Sequence, residues 1–290
     1  MKLPAFHYEA PSTLSEALRV LASGDGASKI IAGGQSLMPM LAFRLASPSV
    51  LVDLNGIAEL QGIEVDEAGV RFGAMVKWCE IEADSRMRTA CPLVSAAIEH
   101  IAHYQIRNRG TIGGSLAHAD PAAEMPGVAV TCGAEMVLAS ADGGRTVPAE
   151  EFFVAPLTSC LRHDEILCTI RFPAWPTSRR WAFDEFAQRR GDFAFAGIAL
   201  FYDEDRDGIV RNAHVGVIGS TDVPRRLAEV EAAIDGKRID DAVIAAAAHA
   251  GTQAVHPEDD IHASADYRRA LVGTLIERAL VQASTREISV

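Results

Sequence analysis

The chain has 290 residues, 49% of them hydrophobic, which is more than one typical domain and ample for one or two buried cores. Its 27 Lys and Arg against 39 Asp and Glu give a formal charge of −12, spread along the chain, which argues against a phosphate-tracking surface for nucleic acid and requires any anionic ligand to be held locally, by main-chain amides. Cys79, Cys91, Cys132, Cys160 and Cys168 are five, no two of them two residues apart, so neither a disulfide framework nor a zinc or iron–sulfur ligand set is written here.

The opening Met1-Lys2-Leu3-Pro4-Ala5-Phe6 lacks the apolar stretch of a signal peptide, and no run approaches the roughly 20 apolar residues of a membrane span, so a cytoplasmic protein is expected. Thr13-Leu14-Ser15-Glu16 has the form of a capping box, and Leu14, Ala17, Leu18 and Leu21 then recur at helical spacing until Gly24 and Gly26. Residues 29–32 read as a short buried strand, and 37–45 as a helix in which Pro39 is tolerable only in the first turn. Residues 50–54 form a second apolar strand, and 62–67 with 69–73 a hairpin across Asp66-Glu67-Ala68.

A helix is expected over 92–102, Asp120-Pro121 reads as an N-cap followed by proline at the first helical position, and Pro126 starts a further turn or helix. Strands follow at 135–140, 145–147 and 166–172 before Pro173-Ala174-Trp175-Pro176-Thr177-Ser178 breaks the pattern at a domain boundary. Beyond it come three apolar runs, 181–188, 194–202 and 209–218, suggesting a small antiparallel sheet with a polar tip at 203–208. Helical signals at 225–234, 240–250 and 265–283, the last striped by Leu271, Leu275 and Leu280, complete the second domain.

Two glycine-paired segments stand out, Ala32-Gly33-Gly34-Gln35-Ser36 and Thr111-Ile112-Gly113-Gly114-Ser115. A diphosphate needs several N–H donors at close range, and glycine removes the Cβ that would hold phosphate oxygens away from the backbone. Ser36, Thr111 and Ser115 add hydroxyl donors, and the first segment precedes a predicted helix whose N-terminus favours an anion. Neither segment carries Gly-x-Gly-x-x-Gly or a following Gly-Lys-Ser/Thr, which disfavours Rossmann and P-loop sites. One glycine pair alone would be an ordinary tight turn; two, with flanking hydroxyls, read as halves of one diphosphate cradle.

Other constellations carry less. His100-x-x-His103 can place two imidazoles on one helix face, without a further carboxylate or cysteine to complete a metal site. His118 is better suited to orienting a neighbour than to base catalysis, and Arg107 and Arg109 flank the second segment as phosphate neighbours or as solvated surface cations. Residues 203–207 lack the glutamate that closes a calcium-binding EF-hand loop and read as a hairpin tip.

With both glycine segments in view, the chain resembles the FAD-binding medium subunit of the molybdenum hydroxylases, the group of aerobic carbon monoxide dehydrogenase and xanthine dehydrogenase. The resemblance runs nearly end to end and is carried by Ala32-Gly33-Gly34-Gln35-Ser36-Leu37, by the stretch from Thr111-Ile112-Gly113-Gly114-Ser115 through His118-Ala119-Asp120-Pro121 to Glu124, and by Arg189-Arg190-Gly191-Asp192-Phe193. It implies an α+β fold: a PCMH-type FAD-binding domain over 1–177, in two subdomains dividing near 56, then a smaller domain of carbon monoxide dehydrogenase flavoprotein type over 178–290 with a three-stranded antiparallel sheet and helices.

The resemblance also implies that both segments wrap the FAD diphosphate, that Glu124 contacts the sugar-alcohol part of the flavin, and that Ile101 and Leu167 touch the flavin ring or adenine. Ser115 stands where the family usually has asparagine, and Phe193 either covers the isoalloxazine or is an ordinary core residue. A molybdenum cofactor on a large subunit and two 2Fe–2S clusters on a small one are implied as partners, in a dimer of heterotrimers, with NAD, a quinone or oxygen as acceptor and carbon monoxide, an aldehyde, a purine or an N-heteroaromatic as substrate. No side chain of this chain is then an acid or base in the hydroxylation. A stand-alone FAD-dependent reductase and a non-catalytic nucleotide-binding scaffold are the alternatives.

Overall fold

Thr13 caps α1 (Leu14–Ser23) through its hydroxyl, which accepts from the Glu16 N–H, while Glu16 reaches past Thr13 to take the N–H and hydroxyl of Ser12. The computed structural model describes residues 3–24 and 26–286; residues 1–2, 25 and 287–290, which include the outer ends of both expected domains and the first two residues of the stretch read against a leader, lie outside the described residues. Beside α1, β1 (His7–Glu9), β2 (Ser28–Ile31) and β3 (Val50–Asp53) form a parallel sheet in the order β1-β3-β2. Between β2 and β3, α2 (Leu37–Ala42) carries Pro39 in its first turn and stops short of residue 45, where Arg44 turns left-handed at φ 59°.

The expected hairpin is β4 (Ile63–Asp66) and β5 (Gly69–Gly73), its tip held by Asp66, whose carboxylate accepts from the Ala68 N–H at 2.8 Å. Four short helices follow, α3 (Trp78–Ala83), α4 (Met87–Ala90), α5 (Pro92–Ile98) and α6 (Tyr104–Arg107). The helix expected over 92–102 ends at Ile98, because the N–H groups of Glu99, His100 and Ile101 bond three residues back and Ala102 is left-handed at φ 44°. His103 stands at the N-cap of α6, so it shares no helix face with His100.

The second glycine pair is not a loop: Gly113 and Gly114 lie in the first turn of α7 (Ile112–His118). Nor is Asp120 an N-cap, since Ala119 ends α7 in the left-handed region, Asp120 accepts from the Ala122 N–H in a turn, and α8 (Glu124–Thr131) starts two residues before Pro126. Then β6 (Glu135–Ser140), β7 (Gly143–Pro148), α9 (Ala149–Phe152), the small pair β8 (Phe153–Ala155) and β9 (Thr158–Ser159), and β10 (Ile166–Pro173) complete an antiparallel sheet of order β4-β5-β10-β6-β7. One face packs Ile166 and Cys168 against Leu18, Leu21 and Leu54; the other packs Phe72, Leu138 and Ile170 against Val94, Leu116 and Val128 of α5, α7 and α8.

The second domain has the three long strands expected, β11 (Arg180–Ala187), β12 (Ala194–Glu204) and β13 (Val210–Ile218), and adds β14 (Arg225–Arg226) at the edge. Arg225 and Arg226 thus pair with β13 instead of opening a helix, and α10 (Ala228–Ile234) begins after them. With α11 (Asp241–Ala254) and α12 (Ala265–Thr285) it covers one face of the sheet, where Leu275, Ile276 and Leu280 meet Ile198, Leu200 and Val215. The chain is therefore α+β with two domains, and no helix among the described residues is long and apolar enough to cross a membrane.

Two arginines, Arg179 half-buried and Arg268 buried, tie the parts together. Arg179 lies between the rings of Trp175 and Phe201 and donates to Asp203 through Nε at 2.9 Å and Nη2 at 3.0 Å. Arg268, 7% exposed on α12, donates to the carbonyls of Phe195 and Gly219 at 2.8 and 2.9 Å and to Asp260 at 2.6 Å. Replacing Arg268 by Met leaves two carbonyls without their donor, and urea unfolding should show a loss of roughly 2–4 kcal/mol. Buried Glu165 accepts from Arg145 at 2.7 and 2.8 Å, which holds its carboxyl below the usual range; that stability is complete above the ordinary glutamate pKa and disappears as pH falls through the lowered one, so Arg145→Met should flatten the acid limb of stability against pH.

Candidate functional site

The first glycine segment is set by the end of the parallel sheet. The Leu54 N–H bonds the Ile31 carbonyl as the last rung, and Asn55, held by the Asp53 carboxylate, donates through Nδ2 to the Ala32 carbonyl at 3.1 Å. Gly33 is buried against the second segment: a Cβ there would lie 2.1 Å from the Arg109 oxygen and 2.8 Å from the Gly110 Cα. Gly34 turns the chain at φ 73°, and Gln35 donates to the Gly33 carbonyl at 3.2 Å. The N–H groups of Gly33, Gly34, Gln35, Ser36 and Leu37 meet no main-chain acceptor among the described residues. Because α2 has six residues, it is these loop amides, rather than a long helix dipole, that are available as donors to an anion.

The second segment plays a different part. Thr111 caps α7, its hydroxyl accepting from the Gly114 N–H at 3.1 Å, while the Ile112 and Gly113 N–H groups donate to Val76 and Ala74, and Trp78 donates to Gly110. Its glycine amides are thus used within the protein, and what Gly113 and Gly114 supply is clearance. A Cβ on Gly113 would lie 2.4 Å from the Ala74 Cβ, and one on Gly114 would lie 2.8 Å from the Thr111 hydroxyl and 3.4 Å from the Ala32 Cβ. The cradle expected from two equivalent halves is asymmetric: the first segment offers amides, the second braces it and contributes the half-buried Ser115.

Glu124, the first residue of α8, is 5% exposed, and burial together with the like charge of Glu185 pushes its carboxyl up to about 8. Glu185 sits on β11 with its side chain 2% exposed, Oε1 3.7 Å from His100 Nδ1 and Oε2 without a hydrogen-bond partner. The His100 ring packs on Phe183 at 5.1 Å, and Ile101 follows it at the edge of the core. Gly191, at φ 87°, lets the 189–193 loop lie on Ala102 and His103, where a Cβ would be 2.6 Å from the Ala102 oxygen.

Sequence-predicted residues thus fall into three places. Ala32, Gly33, Gly34, Gln35, Ser36 and Leu37 meet Thr111, Ile112, Gly113, Gly114 and Ser115; Glu124 and Ile101 flank β11 nearby. Leu167 lies apart, buried in the core on β10 opposite Leu138, although the next residue, Cys168, takes the Ala74 N–H through its carbonyl. Phe193 is 60% exposed, which rules out the core alternative for it. Arg107 pairs with Glu82 and donates to the Ile101 and Ala102 carbonyls, so it serves that turn and not a phosphate. Burial pushes the His118 imidazole down, with Asp120 opposing, and no group of three or more metal-ligating side chains occurs among the described residues.

Asn55 and Glu185 were not singled out from sequence. Asn55 follows a strand in a turn-forming Asp53-Leu54-Asn55-Gly56 and was visible only as a turn signal, while Glu185 looked like any polar residue of an alternating strand. A dinucleotide with a diphosphate fits these groups: the Gly33 to Leu37 amides meet no main-chain acceptor among the described residues and are left as donors for an anion, and the buried Glu124 carboxyl suits a hydroxylated segment.

Comparison with known proteins agrees. Residues 4–175 match the model of the FAD binding domain in molybdopterin dehydrogenase, and residues 181–283 that of the CO dehydrogenase flavoprotein C-terminal domain. The nicotine 6-hydroxylase medium subunit of Paenarthrobacter nicotinovorans is 40% identical over 286 residues, covering 99% of this chain and 100% of its own length. The carbon monoxide dehydrogenase medium chain of Hydrogenophaga pseudoflava is 33% identical over 98% of each chain. Among solved structures, carbon monoxide dehydrogenase from Hydrogenophaga pseudoflava superimposes with a TM-score of 0.94 at 35% identity, covering 98% of this chain and 99% of that one. Quinoline 2-oxidoreductase from Pseudomonas putida 86 does so with a TM-score of 0.93 at 38% identity, covering 98% of both. The paired glycine segments, the buried Glu124 and these end-to-end likenesses together make the chain a member of the FAD-binding medium-subunit family of molybdenum hydroxylases.

Proposed function

We propose that this chain carries electrons from an iron–sulfur partner subunit through FAD to an external acceptor, while a separate molybdenum subunit oxidises the substrate. The observation that supports this most directly is the convergence of Gly33 on Arg109 and Gly110, which sets unpaired amides against the braced turn of Thr111. When bound, FAD supplies the change from single-electron to paired transfer that such a junction needs. The Gly33 to Leu37 amides bind the diphosphate, with Ser36 and Ser115 adding hydroxyls. Glu124, uncharged at neutral pH, meets the sugar-alcohol segment, Ile101 forms an apolar wall, and exposed Phe193 stands where it can cover the ring. Leu167 supports this set from the core behind α7.

The proposal divides the chain into an FAD-binding domain over 1–177, itself two subdomains parting near 56, and a C-terminal domain over 178–290. It makes the working unit a cytoplasmic dimer of heterotrimers with NAD, a quinone or oxygen as acceptor. An N-heteroaromatic substrate, bound on the large subunit, is favoured by relatives named for nicotine, quinoline and caffeine at 37–40% identity.

A purified chain should show flavin absorbance or take up FAD on reconstitution; failure of both would overturn the proposal. Gly33→Ala drives its new Cβ into the Arg109 carbonyl and should weaken FAD binding at least tenfold, about 1.4 kcal/mol, in a fluorescence-quenching titration. Ionised Glu124 would add charge beside an anionic ligand, so FAD affinity should fall as pH rises through about 8, and Glu124→Gln should remove that step. The same raised carboxyl leaves the flavin-free folded chain holding a proton that the unfolded chain has lost. Its contribution to stability therefore declines between the ordinary glutamate range and about 8, measurable by urea unfolding across that window, and is absent in Glu124→Gln.

A further inference from the structure

Asn55 is an exposed residue whose side chain is nevertheless fixed. It stands two residues past the end of β3, and its side-chain amide lies between two acceptors, Asp53 Oδ1 at 2.6 Å and the Ala32 carbonyl at 3.1 Å. Two acceptors leave room only for a nitrogen between them, so the amide has one orientation and spends both of its hydrogens. Asp53 is held in turn, Oδ1 by the Asn55 N–H at 2.8 Å and Oδ2 by the hydroxyl of Tyr8. Tyr8 belongs to β1, which is exposed along its length, and its hydroxyl is what that strand brings to this corner.

None of this is needed to close the sheet, whose last rung is already made by the Leu54 N–H on the Ile31 carbonyl. What it fixes is a peptide plane. Gly33 and Gly34 lack the Cβ that limits rotation elsewhere, so the peptides beside them swing freely unless their carbonyls are gripped. The Ala32–Gly33 peptide is trans, so its carbonyl and its N–H point in opposite directions; with the carbonyl turned onto Asn55, the Gly33 N–H is turned away from it. Gly33 is buried, and this N–H meets no main-chain acceptor among the described residues. The next two carbonyls are gripped as well, that of Gly33 by Gln35 Nε2 at 3.2 Å and that of Gly34 by the Met38 N–H at 3.1 Å. Of these three grips, Asn55 alone comes from outside the segment. A water molecule could satisfy the Ala32 carbonyl equally well but would leave its plane free.

We propose that Asn55, buttressed by Asp53 and Tyr8, is a positioning residue for the diphosphate of FAD: by holding the Ala32 carbonyl it presets the Gly33 N–H toward the phosphate oxygens without touching the ligand itself. This rests on the reading of the Gly33 to Leu37 amides as the groups that take the diphosphate. A donor set in place before the ligand arrives costs no ordering on binding, whereas a swinging glycine peptide must be ordered at that moment. Because the hydrogen bond to Ala32 is exposed, its loss is felt in affinity and little in folding.

The test compares wild type with Asn55→Leu and Asn55→Asp in the full chain freed of flavin. Both variants remove the donor, and Asn55→Asp does so at unchanged size. FAD binding is read by fluorescence quenching, ADP binding by calorimetry, the bound diphosphate by phosphorus NMR at saturating FAD, and the flavin-free melting temperature by circular dichroism. Asn55→Leu should bind FAD and ADP about three- to tenfold more weakly, by the same factor for both, and Asn55→Asp more weakly still, because it adds a negative charge beside the anion. The phosphorus resonances of bound FAD should move while its visible absorption bands stay in place, and both flavin-free variants should melt close to wild type. Wild-type FAD affinity in both variants, phosphorus resonances that do not move, a loss for FAD that ADP does not share, or a collapse of the melting temperature in both variants would each overturn the proposal. Wild type that binds neither FAD nor ADP would instead sink the parent reading, so the two failures are distinct.

Discussion

The site depends on one approach of backbone to backbone. Gly33 lies so close to the Arg109 carbonyl and the Gly110 Cα that a single Cβ would part them, and the segment it meets is itself stitched to Ala74, Val76 and Trp78 by three main-chain hydrogen bonds. Ala74 in turn donates to the carbonyl of Cys168 on β10. The first glycine segment is therefore braced by a main-chain relay running from the parallel sheet, through the start of α7, into the central strand of the antiparallel sheet. Main-chain contacts of this kind position donors without side-chain rotamers to order, which is what a preformed ligand cradle requires.

In the proposed function, that arrangement is what lets an acidic chain hold a dianionic ligand. Five main-chain N–H groups of one loop have no main-chain acceptor among the described residues, and the arginines nearest the second segment are otherwise engaged or solvent-facing: Arg107 serves Glu82 and two carbonyls, while Arg109 contributes its main chain. Glu185 of β11 faces His100 and acts on Glu124, where burial and the like charge favour a protonated, neutral Glu124.

Much of this could be read from the residues, but not all. The α1 cap, the β4–β5 hairpin, the three long strands of the second domain and α12 follow local rules, namely capping, alternation and helical spacing, which act within a few residues. Among the elements that escaped, β1, α3, α4, α6 and β14 are two to six residues long, too short for a periodic signal; β1, for example, is exposed along its length and is a strand only because β3 lies beside it. The glycine pairs were legible as close-approach positions. Their unequal roles were not, because whether an amide is free depends on Ala74 and Val76, which no local pattern links to Gly113 and Ile112.

The second domain is not a bystander to this site. Gly219, at the end of β13, donates to the Pro121 carbonyl at 2.9 Å, and Ala194, at the start of β12, to that of Ala122 at 3.4 Å, so the turn that delivers Glu124 is hung on the ends of two strands from the other domain. Arg268 holds those same strand ends through the carbonyls of Phe195 and Gly219, and β11 presents Glu185 and Phe183 from the same sheet. In the proposed function, the phosphate half of the cradle is built from the Gly33 segment and the flavin half from Glu124 together with residues of the second sheet. Those strand ends thus connect to the turn before Glu124 through two main-chain hydrogen bonds, whereas the Gly33 loop is braced by Asn55 and by its packing on Arg109 and Gly110.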